Sequence, residues 1–260
     1  MQIREGFLKI FLGISLLLIM FEASAQKKIT KQQLTWYSFF SSIHINEKWW
    51  IHTDIQERHY IKPLAQHQLV LRSSVHRKIK EGWDASVGMC LFLQDPNDPE
   101  ATVRLRIPEL RPHIQLGYSK KYKHVTVIHR YRAEARFFHN INEEGTDLAD
   151  GYDFSNYRFR YQLQLQIPIW KISESSSLKL RINDELMINA GRNITKNVFD
   201  QNRIYAALAL DISPAIGVEV GYMKWFQQRN SGVDFFDRNI LRFSFHHKLD
   251  LHSIKRKRES

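Results

Sequence analysis

The sequence predicts an all-β chain, an antiparallel transmembrane β-barrel of about 10–12 strands behind a cleaved signal peptide. Three observations carry this expectation: an export signal, long runs of period-two alternation, and connections that alternate between short and long. The export signal comes first in the chain. Arg4 and Lys9 form a positive flank, Ile10 to Phe21 an apolar run, and Ala23, Ser24 and Ala25 a small-x-small cleavage pattern. The apolar run is too short to span a bilayer comfortably as a helix. No cysteine follows it at which a lipid could be attached; Cys90 is the only cysteine, so no intrachain disulfide forms. Residues 1–25 are therefore read as a signal peptide cleaved after Ala25, 26–250 as the barrel and 251–260 as a basic C-terminal tail.

Beyond residue 30 the apolar residues recur at every second position, as in strands with one apolar face. From Trp83 to Gln94, Trp83, Ala85, Val87, Met89, Leu91 and Leu93 oppose Asp84, Ser86, Gly88, Cys90, Phe92 and Gln94. Arg158 to Ile169 repeats the pattern, with Phe159, Tyr161, Leu163 and Leu165 against Arg158, Arg160, Gln162 and Gln164. Ten residues is about what a tilted strand needs to cross a membrane, whereas ordinary strands run nearer five or six. In chain order the segments are 33–45, 49–59, 67–77, 83–94, 103–118, 124–138, 158–169, 177–190, 201–212, 216–229 and 239–250. Both faces of the first are apolar, Trp36 and Phe40 against Tyr37 and Phe39. Short turns fall at Asn46–Lys48, Lys78–Gly82, Ser119–Lys123, Lys171–Ser176 and Ser213–Ala215. Longer polar loops fall at Tyr60–Gln66, Asp95–Thr102, His139–Asp153, Gly191–Asp200 and Asn230–Arg238, the asymmetry expected of outer-membrane barrels. Single-chain bacterial barrels have even strand numbers, so eleven segments imply ten or twelve strands. Either a further strand lies near Gln26–Gln33 or one segment is not a barrel strand.

In a barrel the apolar face meets lipid and the polar face lines the lumen. The expected lumen-lining residues are Arg111, Arg130, Arg132, Glu134, Arg136, Arg158, Arg160, Arg181, Glu185, Arg203, Glu219 and Arg229. Arg104 and Arg106 precede Glu109, and parity changes near Pro108, so they share a face with Arg111 and His113 only across a bulge. Planar guanidinium forks bond two carboxylates or carbonyls at once, so such rows either plug the lumen with ion pairs or attract anions. The opposing glutamates favour the plug. The six tryptophans lie mostly near strand ends, as interfacial girdles require.

The segments HRYRAEARFF (His129–Phe138), RIPELRPHIQLGY (Arg106–Tyr118), FDQNRIYAALAL (Phe199–Leu210) and VEVGYMKWFQQR (Val218–Arg229) resemble an uncharacterised family of exported bacterial barrels, domain of unknown function 2490. The resemblance covers roughly Thr35 to Leu249 and implies an outer-membrane barrel; it supplies no activity and no catalytic residues.

Catalytic motifs are absent: no Walker loop, dinucleotide fingerprint, zincin HExxH, paired CxxC or nucleophile elbow occurs. No enzyme activity, cofactor or metal is expected. Ser42/His44, Ser74/His76 and Ser244/His246 each share a face; the second and third read as lumenal, and the first has no assigned side. The loop 142–153 carries Glu143, Glu144, Asp147, Asp150 and Asp153, oxygen ligands that hard cations favour, without EF-hand spacing. The net charge of +11 survives removal of the signal segment, whose Arg4 and Lys9 cancel Glu5 and Glu22. It suits anionic partners: outer-membrane lipids, lipopolysaccharide and small anionic solutes, with nucleic acid excluded by export. The leading expectation is a structural or passively transporting barrel in the bacterial outer membrane. The alternatives are an outer-membrane lipid-modifying enzyme and a soluble periplasmic β-sandwich that binds acidic ligands.

Overall fold

The computed structural model describes residues 27–194 and 196–251. The expected signal peptide and all but the first residue of the basic tail lie outside them. Eleven strands follow in order: β1 Ile29–His44, β2 Trp49–Tyr60, β3 Ala65–Lys80, β4 Trp83–Gln94, β5 Ile107–Lys121, β6 Thr126–Ile141, β7 Leu148–Lys171, β8 Ser177–Ala190, β9 Phe199–Asp211, β10 Ile216–Gln228 and β11 Phe235–Asp250. Each pairs antiparallel with its chain neighbours, and β1 closes on β11 in parallel, from Ile29 opposite Phe235 to His44 opposite Asp250.

The expected ten or twelve strands are thus corrected to eleven. Residues 29–33 are the start of β1 rather than a strand of their own, and every marked segment is a barrel strand. An odd count makes the first and last strands run the same way, and a parallel ladder satisfies their backbone groups as completely as an antiparallel one. Closure removes the free edge, which is what a lipid environment demands.

The burial pattern is inside out. On β10, Gly217, Glu219, Gly221, Met223 and Trp225 are buried while Val220, Tyr222 and Lys224 alternate with them outside. Outward residues such as Ile114 (63% exposed), Val87 (62%), Ile204 (54%) and Leu208 (53%) cover the wall, whereas Glu109 and Arg238 inside are wholly buried. This apolar exterior, interrupted by outward polar contacts such as Asn202 with Asp184 and Lys224 with Asp237, is far larger than the patches a soluble monomer tolerates. The soluble sandwich does not hold: there is one closed sheet with its polar side inward.

Three details of the sequence reading change. The connection 61–64 is as short as the turns, and the pairing of β6 and β7 continues to Ile141 opposite Leu148, leaving only 142–147 of the expected long loop. The pairing of β4 with β5 runs through Leu93 opposite Pro108 with no register shift, so no bulge is present; Arg104 and Arg106 simply precede the strand. The tryptophans divide. Trp49, Trp83 and Trp170 sit outward at the short-turn rim, Trp50 turns inward against His44 and His76, and Trp36 and Trp225 are buried in the lumen. At the β3–β4 turn Gly82 adopts φ +74°, and a Cβ there would stand 2.6 Å from the Ser119 carbonyl oxygen.

Candidate functional site: the barrel lumen

Cross-strand register brings the inward charges together. Asp54 on β2 lies opposite Arg72 on β3 and accepts its Nη1–H at 2.8 Å. Glu109 on β5 accepts from two guanidinium groups, Arg111 on its own strand and Arg136 on β6. Arg132 and Arg160 face each other across β6 and β7, a like-charge pairing that two carboxylates offset. Arg160 donates to Glu134 and Glu185, each at 2.7 Å; Arg132 stands 3.7 Å from Glu134, and Arg130 2.7 Å from Glu185. Arg158 meets Asp200 at 2.9 Å. Glu219 on β10 holds Arg181 and the Tyr205 hydroxyl, both at 2.7 Å. All the expected lumen residues in strands therefore point inward. Arg229 lies just past β10, beside Thr30 and 4.9 Å from the Phe236 ring, on the rim of the long-loop mouth.

Sequence reasoning missed Asp54, Arg58, Asp200, Arg238 and Arg242. Parity offered a signal for Arg242, which alternates with outward Leu241 and Phe243, and for Asp54 and Arg58, which flank inward Gln56. Parity also put Trp225 on the face of Glu219, whereas no local signal placed Trp36 inside. The two tryptophans meet edge to face at 5.6 Å and, with Leu34, Tyr60, Tyr205, Met223 and Ile240, make an apolar cluster within the lumen. Guanidinium groups lie on these rings: Arg58 at 3.8 Å from Trp36, and Arg203 and Arg238 each 4.5 Å from Trp225.

Three cavities run in file through the barrel. The outer one, about 460 Å³ at the long-loop mouth, is lined by Asn and Gln amides with Arg111, Arg136, Arg158 and Arg229. The middle one is about 270 Å³ and the inner one, at the short-turn mouth, about 440 Å³. Arg58 and Arg203 border both the outer and middle cavities, and Phe40 and His52 both the middle and inner ones. The loop 95–106 folds over the outer mouth: the Asn97 carbonyl accepts from Gln32 and Tyr60, and its side-chain oxygen from Arg238. Arg106 anchors that loop to Asp95 at 3.0 Å.

All three serine–histidine pairs face inward. Ser42 bonds His52 rather than His44, at 2.9 Å. Ser74 Oγ lies 3.0 Å from His76 Nε2, and His76 Nδ1 3.2 Å from Asp84, an order that resembles a hydrolase relay. Ser74 is only 4% exposed, and β4 packs so closely on it that a Cβ at Gly88 would stand 2.6 Å from its Cβ. In the 142–147 turn, Asn142 Oδ1 accepts from the Thr146 and Asp147 amides. Among the described residues no group of three or more acids, histidines or cysteines is placed to hold a metal.

Among solved structures the chain is similar to a NanC porin in a rhombohedral crystal form, with 15% sequence identity, a TM-score of 0.42, and 76% of this chain and 85% of that chain covered. No curated protein matches. The model of the family described as protein of unknown function (DUF2490) matches residues 33–236, and with the barrel built from those residues the chain belongs to that family.

Proposed function

We propose that this protein is an outer-membrane β-barrel that lets small anionic solutes pass passively through its lumen, with no catalytic role. The observation that carries this reading is the file of three cavities bordered by more arginine than carboxylate. The middle cavity is lined by Arg58, Arg72, Arg130, Arg132, Arg160, Arg203 and Arg242 against Asp54 and Glu185. Rings of arginine lower the barrier for anions and raise it for cations. An ion-paired plug explains the paired groups, such as Arg72 and Asp54, but not Arg203 and Arg242, which make no ion pair within 4 Å among the described residues. The export signal at Met1–Ala25 and the apolar wall support the outer membrane as the site. The basic surplus of +11 suits lipopolysaccharide and anionic headgroups as neighbours.

Planar-bilayer recording of purified protein in a potassium chloride gradient tests the reading. The expected reversal potential favours chloride, and Arg203→Ala, at the junction of two cavities, raises conductance and weakens that preference. No conductance at either polarity sinks the conduit; a preference for potassium sinks its anion selectivity.

A further inference from the structure

We propose that the middle cavity is a binding site for a small polyvalent oxyanion of the phosphate class. This rests on reading the lumen as an anion path and adds to it a place where the solute pauses.

The two arginines that define the site are Arg203 on β9 and Arg242 on β11. Neither guanidinium makes a hydrogen bond or ion pair among the described residues; each is held only by aromatic rings. Arg203 lies 4.5 Å from the Trp225 ring and 5.5 Å from Trp36, and Arg242 5.1 Å from Phe40 and 5.2 Å from Tyr205. Contact with a ring occupies the face of a guanidinium and leaves its N–H edge free to donate. The Nε atoms of both are buried and make no hydrogen bond; Arg132 Nη1 likewise makes none and stands 3.7 Å from Glu134. Arg58 adds a further charge whose partners are the neutral carbonyls of Gln56 and Gln68.

The carboxylates on the same wall make their ion pairs with other arginines. Asp54 is held by Arg72, and Glu185 by Arg130 and Arg160. Concentrated positive charge away from bulk water is costly unless an anion compensates it. Donors converging from β9, β11, β2 and β6 suit an anion with several oxygens and more than one charge better than a single planar carboxylate. Size limits the choice further. At about 30 Å³ per water, 270 Å³ is the room of roughly nine waters, enough for one phosphate with part of its hydration and below the range of most drug-sized ligands. The cavity lies within a closed wall, so the phosphate belongs to a free solute that enters by a mouth rather than to a lipid headgroup.

Calorimetric titration of the full-length barrel in a phosphate-free maltoside detergent tests this, with inorganic phosphate injected at neutral pH and sodium chloride of equal ionic strength as the control. One phosphate site per chain is expected, with no matching signal from chloride. Arg203→Gln/Arg242→Gln should weaken binding by at least about tenfold, and each single variant by less. Lys171→Gln, at the exposed end of β7, should bind as the wild type does. Heat-modifiable gel migration verifies that every variant is folded. Absence of saturable binding at about 1 mM phosphate, or equal binding by the folded double variant, overturns the site. Conductance without binding refutes only the site; binding without conductance refutes only the conduit.

Discussion

Glu109 is the carboxylate whose loss the barrel should tolerate least. It is fully buried on β5 and accepts four N–H bonds: from Arg111 Nε at 2.6 Å and Nη2 at 2.5 Å, and from Arg136 Nε at 2.5 Å and Nη2 at 3.2 Å. Both arginines also lie against rings, Arg111 3.5 Å from Phe92 and Arg136 4.8 Å from Phe138, so neither can swing away freely. Glu109→Gln keeps the shape but removes the charge and turns one acceptor into a donor that faces donors. Breaking a buried ion pair by removing one partner costs about 3–5 kcal/mol, because the other charge is stranded. Here one substitution strands two guanidinium groups, so a loss of at least about 3 kcal/mol is expected, more than a hundredfold in the folded-to-unfolded ratio. Urea unfolding in lipid vesicles, followed by tryptophan fluorescence, reads it directly, since Trp36 and Trp225 leave a buried site. Glu109→Gln/Arg136→Gln should lose less than the two single losses added, because one stranded charge is gone. Glu174→Gln, in the exposed β7–β8 turn, should show no measurable change. A Glu109→Gln protein within about 1 kcal/mol of wild type, or a strictly additive double variant, would falsify the view that the ion-pair network holds the lumen together.

Two further outcomes are expected. Gly221→Ala puts a Cβ 2.5 Å from both the Ala207 Cβ and the Tyr205 hydroxyl, which pushes Tyr205 off Glu219; a cost of about 1–3 kcal/mol in the same unfolding assay is predicted, and unchanged stability refutes the crowding. The odd strand count places the start of β1 at the long-loop rim and the end of β11 at the short-turn rim. With long loops outward, a membrane-impermeant maleimide added to whole cells should label Ser231→Cys and not Ser175→Cys. Cys90, only 1% exposed in the lumen, should stay unlabelled until the barrel is denatured. Equal labelling of both introduced thiols would contradict the topology.

Much of the wall was legible from residue order. The strands at 83–94 and 177–190 begin and end where their alternation does, because their apolar faces stop at turn residues. Of the lumen, the arginine rows of β6 and β7 were legible for the same reason. Pro108 misled: it reads as a bulge, yet proline is accommodated within β5 without displacing the register. Trp36 and Trp225 misled too, since a tryptophan near a strand end fits an interfacial girdle as well as an interior stacked with arginine.

What the sequence determined by itself was which side chains of a strand share a face. That alternation is a property of any extended chain, independent of what lies beside it. What only the tertiary structure decided was the company each residue keeps. The count of eleven depends on β1 finding β11, more than two hundred residues away in the chain. That Glu109 serves two arginines while Arg203 and Arg242 serve none depends on register, closure and the radius across which side chains must reach. These are relations between strands, and a period of two within one strand carries no record of them.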